Sequence, residues 1–283
     1  MANDGTVNSS EVIDQEAVRA EIEGVAEENL VFREAFREIN NEGIDSSVIE
    51  VPVLDDVADA AGVVNEGSSY PSSDEQMSKT SISHDKYGVE VEITYESIQD
   101  STLDVVALHT EDKGRELAEA LDGEAWNVVS LFNDNNNSNF NNLQDDAVGS
   151  DGGTMDYATA IDAMAALEGE SYDPDLFVVS AGSKADLMKD DNFTHATELG
   201  DDTIREGAFG QLAGIDVVVD DGGNLGAGEG MMFDTDRYGL ESIREDFTSI
   251  EYEKEDENKR VVQVRTRMGW EAIRPKAGVK VEA

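Results

Sequence analysis

The chain has 283 residues, and its 64 Asp and Glu against 20 Lys and Arg give a formal net charge of −44. That excess disfavours contact with nucleic-acid phosphates, and with no cysteine there are no disulfides and no thiolate chemistry. Hydrophobic residues, 39% of the total, recur periodically while the acids run along the whole length; this excludes an acidic disordered tail and leaves a folded protein adapted to concentrated salt, where a Debye length of about 3 Å screens like charges.

Residues 1–10 are polar and lack the basic and apolar segments of a secretion signal, so synthesis and folding in the cytoplasm are expected. Residues 11–40 read as a helix, with Val18, Ile22, Val25, Leu30, Phe32, Phe36 and Ile39 at mostly three- and four-residue steps. Asn40, Asn41, Glu42 and Gly43 end it, Gly43 being suited to a left-handed C-cap. The apolar stripe is narrow, and periodicity serves equally an arm that docks on another subunit and a helix that packs on its own domain. Residues 47–54 alternate as a strand. A polar Gly/Ser-rich stretch, 65–77, leads to a second strand-like run over 79–83 and then 87–93. There Val89, Val91 and Ile93 point one way and Glu90 and Glu92 the other. Together these runs predict a long hairpin with too few large apolar residues at its far end to make a core, so the arm needs something to lie on.

Residues 95–132 form the longest helical region. Leu103, Val106, Ala107, Leu117, Ala118, Leu121, Ala125, Val128, Val129 and Phe132 make a stripe near the 3.6 period. Lys113-Gly114 is its weak point, since glycine costs a helix interior roughly 1 kcal/mol. Residues 133–153 are an asparagine-rich connector and the clearest internal boundary. Beyond it come a helix over 155–167, a buried strand over 175–180, a short helix over 183–189 capped by Ser183, a strand over 214–219 and a glycine-rich loop over 220–230. The remainder returns to β pattern at 238–243, 247–254, 261–268 and 279–281, with a hairpin tip at 255–259. Helices and strands mix without a regular βαβ alternation, so the fold class is α+β. No segment reaches the roughly 18 apolar residues of a membrane span.

No catalytic, cofactor or metal site emerges from these elements. His84, His109 and His195 are isolated and lack the spacing of a metal site. The acids are too numerous to single out a general acid–base pair, and nothing favours glycosidase-type chemistry. Asp134, Asn135, Asn136, Asn137, Ser138 and Asn139 offer oxygen ligands at calcium-like spacing. They lack the central glycine and terminal glutamate of a helix–loop–helix site and read as a solvated linker. The glycine run at 222–228 follows a strand but has neither a Walker lysine nor Gly-x-Gly-x-x-Gly spacing, and reads as a flexible turn. Asn8, Asn136 and Asn192 head glycosylation sequons, which mean little without a secretion signal. The chain reads as a non-enzyme built from two projecting arms, a long spine helix and two small compact units.

Four segments carry a resemblance. Val51-Pro-Val-Leu-Asp-Asp-Val-Ala-Asp-Ala-Ala leads to Glu66-Gly-Ser-Ser-Tyr-Pro. Lys86-Tyr-Gly-Val-Glu-Val-Glu-Ile-Thr-Tyr-Glu-Ser-Ile-Gln-Asp-Ser passes from strand to helix start. Phe177-Val-Val-Ser is followed by Ala185-Asp-Leu-Met-Lys-Asp and Gly207-Ala-Phe-Gly-Gln-Leu-Ala-Gly-Ile-Asp-Val-Val-Val, and Ile273-Arg-Pro-Lys-Ala-Gly-Val-Lys-Val lies near the C-terminus. Each is generic alone. In this order and spacing they resemble the HK97-type major capsid proteins of tailed viruses.

The resemblance implies an HK97-like fold with an N-terminal arm (1–46), an extended E-loop hairpin with its flanks (47–94), a peripheral domain with the spine helix (95–150 and 241–269) and an axial domain (151–240 and 270–283). It implies a structural protein that self-assembles into hexamers and pentamers of an icosahedral shell enclosing double-stranded DNA, with no catalytic residue, cofactor or metal. The expected partners are further copies, a scaffolding protein, a portal and minor capsid proteins, with no sequence-specific nucleic acid and no membrane. The expected location is the virion, after assembly in the host cytoplasm, and the acidity points to a halophilic archaeal host. The alternative of the same fold is an encapsulin-like cellular nanocompartment shell around a cargo enzyme; outside the fold it is a soluble hydrolase or binding protein with one concave pocket. Some relatives lock the shell with a Lys–Asn isopeptide bond assisted by a buried glutamate. Lys79 or Lys86 and Asn258 stand near the places of that bond, but 261–268 contain no glutamate and Arg265 stands about where the acid belongs, so no cross-link is expected. Precursors in the family often carry a scaffolding segment before the arm, later removed by a protease; here the arm begins close to Met1, so scaffolding comes from a separate protein or the chain is already processed, and the Met-Ala start favours the former.

Overall fold

Period-2 alternation builds most of the body, and one long amphipathic helix covers it. The computed structural model describes residues 19–20, 22–24, 31–41, 46–54, 66, 77–94, 96, 105–130, 143–144, 148–149, 154–190, 211–220 and 222–282. In chain order the strands and helices are β1 (Phe36–Asn40), β2 (Val48–Leu54), β3 (Met77–Ser83), β4 (Asp85–Thr94), α1 (Val105–Val129), β5 (Val148–Gly149), α2 (Tyr157–Gly169), β6 (Leu176–Ser180), α3 (Ala181–Leu187), β7 (Gln211–Leu212), β8 (Ile215–Asp220), β9 (Glu229–Phe233), β10 (Gly239–Lys254), β11 (Lys259–Ala272) and β12 (Gly278–Glu282). Short 3-10 turns lie at Phe32–Ala35 and Pro275–Ala277. The class is α+β.

The first sheet has the order β1-β10-β11-β4. Its centre is the long antiparallel hairpin of β10 and β11, turned through residues 255–258, where Asn258 takes a left-handed φ of 51°. β4 pairs antiparallel with β11, and β1 pairs parallel with β10. As the alternation predicts, Val91 and Ile93 are buried while Glu92 faces solvent. Helix α1 packs over the buried side through Leu117, Leu121, Ala125 and Val129, one residue per turn. It passes unbroken through Gly114, the expected weak point, and that glycine is buried.

The second sheet has the order β5-β12-β9-β6-β8-β7. All five residues of β6 are buried, as befits a central strand paired on both edges. Helix α2 packs against β12, capped by Asp156, whose Oδ1 accepts the N–H of Thr159 at 2.8 Å. Buried apolar side chains run as one contiguous core through both sheets. Tyr238, fully buried, joins them: its ring lies 5.4 Å from Phe36 of β1 and 4.8 Å from Phe233 of β9. Gly239 leaves room for this packing, since a Cβ there would sit 2.4 Å from the Phe36 ring. β2 and β3 form a third, two-stranded antiparallel sheet of their own.

Four expectations change. The helix expected over 11–40 is not continuous: residues 19–20 and 22–24 are helical, but 36–40 form strand β1. Pairing with Gly239–Ile243 overrides a helical period that Phe32, Phe36 and Ile39 satisfy locally. Of the two readings open for this segment, packing on the chain's own body holds for Ile22, Phe32, Ala35 and Phe36, which are buried in its core. The returning limb of the hairpin is β3; residues 87–93 belong to β4, a body strand lying beneath α1. The cap of the short helix is Ser180, not Ser183; the Ser180 hydroxyl accepts the N–H of Ser183 at 3.1 Å. Finally, β9 occupies the end of the supposed loop at 220–230, and its Gly230 lies so close to Phe177 that a Cβ would meet the ring at 2.9 Å. β1 and β4 belong to the first sheet and β5 to the second.

Candidate functional site

The feature that sets this body apart is how the β2–β3 sheet leaves it. At the root, Ser83 and His84 lie over the β10–β11 pair Ser242–Gly269. His84 is buried and bonded on both ring nitrogens: Nδ1 to the Ser47 carbonyl at 3.1 Å and Nε2 to the Ser242 hydroxyl at 2.7 Å. A carbonyl only accepts, so Nδ1 carries a hydrogen and donates it to Ser47. The Ser242 oxygen also accepts the Asn41 amide at 2.8 Å, and the His84 backbone N–H donates to Ser47 at 3.0 Å. One imidazole thus ties the entry of β2, the end of β3, β10 and the end of β1. Gly269 permits the crossing, since a Cβ there would fall 1.9 Å from the Ser83 carbonyl oxygen. Beyond the root the strands are largely exposed: Glu50, Pro52, Ser78, Lys79 and Ser81 are open to solvent, and Lys79 and Glu50 pair across the strands at 2.6 Å.

A second set of bonds fixes the N-terminal segment. Asp122 of α1 is buried, and its Oδ1 accepts the backbone N–H groups of Val31, Phe32 and Arg33 at 2.9, 2.7 and 3.2 Å. These are the orphan donors at the start of the 3-10 turn. Burial pushes the carboxyl upward, and the three N–H bonds oppose that rise. Arg33 in turn donates from Nε to Glu241 of β10 at 2.5 Å, both side chains nearly buried. Burial raises Glu241 as well, against the pull of Arg33.

The free face of the first sheet carries charge. Glu90 and Glu92 on β4 bind Lys254, Lys259 and Gln263. Bonds from Lys254 and Lys259 hold Glu92 down at about 2, and the same acids raise Lys254. Arg265 pairs with Glu245 at 3.1 Å.

Of the residues weighed as chemistry, His84 is structural and His109 is exposed on α1. His195, the oxygen-rich run 134–139 and the sequons at Asn8, Asn136 and Asn192 lie outside the described residues. The glycine run is a turn ordered by acids: Asp220 accepts Leu225 N–H and Glu229 accepts Gly226 N–H, each at 2.7 Å. Lys86 stands opposite Arg267 while Asn258 is at the far hairpin tip, so within one chain they occupy opposite ends of the sheet. Among the described residues no group of three or more His, Asp or Glu is placed to hold a metal ion, and no described helix is long and apolar enough to cross a membrane. The root clamp was not foreseen. Its only signals were His84 breaking the alternation between two strand-like runs and Gly269 standing inside a strand, where glycine marks a close backbone approach.

Comparison with known proteins adds the following. The family described as phage capsid protein matches residues 77–281. No curated protein sequence is significantly similar to the chain. Among solved structures, the capsid of cyanophage P-SCSP1u is similar with a TM-score of 0.67 at 12% identity, covering 90% of this chain and 88% of that one. A chain from Mycobacterium phage Che8 gives 0.65 at 14%, covering 89% and 90%. A virus-like particle from Pyrococcus furiosus gives 0.62 at 12%, covering 94% and 98%. At these identities the likeness is one of fold.

Proposed function

We propose, because this chain belongs to the phage capsid protein family and carries the HK97-like capsid fold, that its copies assemble as hexamers and pentamers into an icosahedral shell around viral double-stranded DNA. The observation that carries this reading is the clamped β2–β3 hairpin, a sheet held at its root and left open beyond it. An arm of that kind lets a subunit bury more area on its neighbours than a compact globule could, through many contacts that are each modest.

In such a shell residues 47–94 are the E-loop with its flanks and residues 1–46 the N-terminal arm. Residues 95–150 and 241–269 form the peripheral domain, with α1 as its spine helix. Residues 151–240 and 270–283 form the axial domain, where copies meet around each capsomer centre. The protein acts as a structural component of the virion, without enzymatic activity. A scaffolding protein, a portal and minor capsid proteins are its further partners, and assembly takes place in the host cytoplasm. The net charge of −44 supports a halophilic archaeal host. The nanocompartment alternative has no observation of its own, since the family match is to phage capsid proteins.

Electron microscopy of the full chain purified in molar salt tests the reading. Closed shells or capsomers are expected, and a monomer or small oligomer without them overturns it. Nuclease-protected double-stranded DNA in native particles separates virus from cargo compartment.

A further inference from the structure

A groove of about 470 Å³ opens where the β2–β3 hairpin leaves the body. Val51 and Pro52 of β2 line one wall; Arg37 of β1, Asp236, Arg237 and Arg274 line the rest. Its size is that of clefts that hold small ligands, about 300–1,000 Å³. Three guanidiniums share it in a chain with 20 basic residues against 64 acids. Neither Arg37 nor Arg274 has a carboxylate within ion-pair distance among the described residues. Arg237 is only loosely engaged, its Nε 3.9 Å from Asp234 and its Nη1 donating to the Ser171 carbonyl at 3.3 Å.

Carboxylates far outnumber cations in this chain, so two guanidiniums that share one groove with no acid partner among the described residues call for one from outside. Guanidinium forks bind carboxylates bidentately and keep their charge at any pH the protein meets. The geometry points to a docking site for a carboxylate-bearing segment of a second copy of this chain, seated between the hairpin root and the body. This rests on the shell reading, which makes copies abut. Protein carboxylate is favoured over nucleic-acid phosphate because a single carboxylate can seat on the guanidiniums away from Asp236, which lines the same groove, whereas a polyphosphate brings a run of charges past it. Because Val51 and Pro52 form one wall, a segment seated there touches hairpin and body together and fixes the angle between them.

Two measurements on the full chain in molar salt test the site. In the double variant Arg37→Glu/Arg274→Glu the thermal midpoint stays near that of the unaltered chain, while the yield of shells falls about ten-fold or more, the loss set by roughly one favourable contact per interface. Shells in undiminished yield overturn the inference and leave the shell reading standing; if the unaltered chain makes no shells, both fall. The second measurement does not depend on charge reversal. Arg274→Lys keeps the cation and supplies an amine for carbodiimide coupling to carboxylates. In shells assembled from mixed isotopically light and heavy chains, mass spectrometry is expected to find cross-links from position 274 between light and heavy chains. Cross-links only within one chain, or none, overturn the inference.

Discussion

Arg33 with Glu241 is the clearest case, among the described residues, of a buried charge compensated by a specific partner. Glu241 keeps only 4% of its side-chain surface, and Arg33 is the cation bound to it, at 2.5 Å. Removing one member of a buried pair leaves the other uncompensated, at a cost of about 3–5 kcal/mol. Arg33→Met is therefore expected to lower stability by that amount at neutral pH. Burial already raises the Glu241 carboxyl in the folded state, and without Arg33 it rises further. A raised acid favours the protonated fold, so the penalty is full above its folded pKa and disappears below the unfolded value. Urea unfolding across the carboxylate range checks this, and a loss that stays constant as the pH falls contradicts it. Glu92 behaves in the opposite sense. Held at about 2 by Lys254 and Lys259, its contribution is present above the unfolded value and lost as the pH falls through about 2.

At the scale of elements, the hairpin is directed by its root. Gly269 lies beneath the Ser83 carbonyl, and His84 bonds Ser47 and Ser242. Gly269→Ala places a Cβ where backbone already stands, so β3 must lift. Overpacking of this kind costs about 1–3 kcal/mol. The expected readout is local: amide hydrogen exchange accelerates across β2 and β3, while β6 and β9 keep their protection. Unchanged exchange in β2 and β3 removes the root from the account. Elements also differ in how far local pattern reveals them. β4, β6, the β10–β11 hairpin and β12 are legible because their alternation or apolar run coincides with burial. β1 is not, because Phe32, Phe36 and Ile39 fit a helix equally well and only the distant Gly239–Ile243 segment makes a strand of residues 36–40. β9 is short and opens with Glu229-Gly230, which resembles the loop before it. The root clamp joins residues far apart in sequence, such as His84 and Ser242, and nothing at either position announces the other.

For the whole molecule the net charge decides the conditions of assembly. Each copy carries −44, and in the proposed shell many copies stand edge to edge around DNA of the same sign. At molar salt the Debye length is about 3 Å and neighbours are screened; at 0.01 M it is about 30 Å, longer than the gap between subunits, and they repel. Shells dialysed into about 0.01 M buffer without divalent cations are expected to fall apart, seen as lost light scattering and the appearance of capsomers or monomers. Shells that persist there contradict the prediction. The contiguous core that joins both sheets gives the subunit its own reserve of stability, so dissociation should precede unfolding as salt is withdrawn.

Acidity, lack of thiol chemistry, the α+β class and most strands follow from residue type and local spacing, which is why the sequence by itself determined them. Four separated segments in a fixed order also carried the family. The tertiary structure alone decided that residues 36–40 join β10, that β3 and not β4 returns the hairpin, that His84 serves as a clamp, and that Arg37, Arg237 and Arg274 meet in one groove. Those outcomes depend on contacts between residues distant in the chain, whose pairing energies no local pattern encodes.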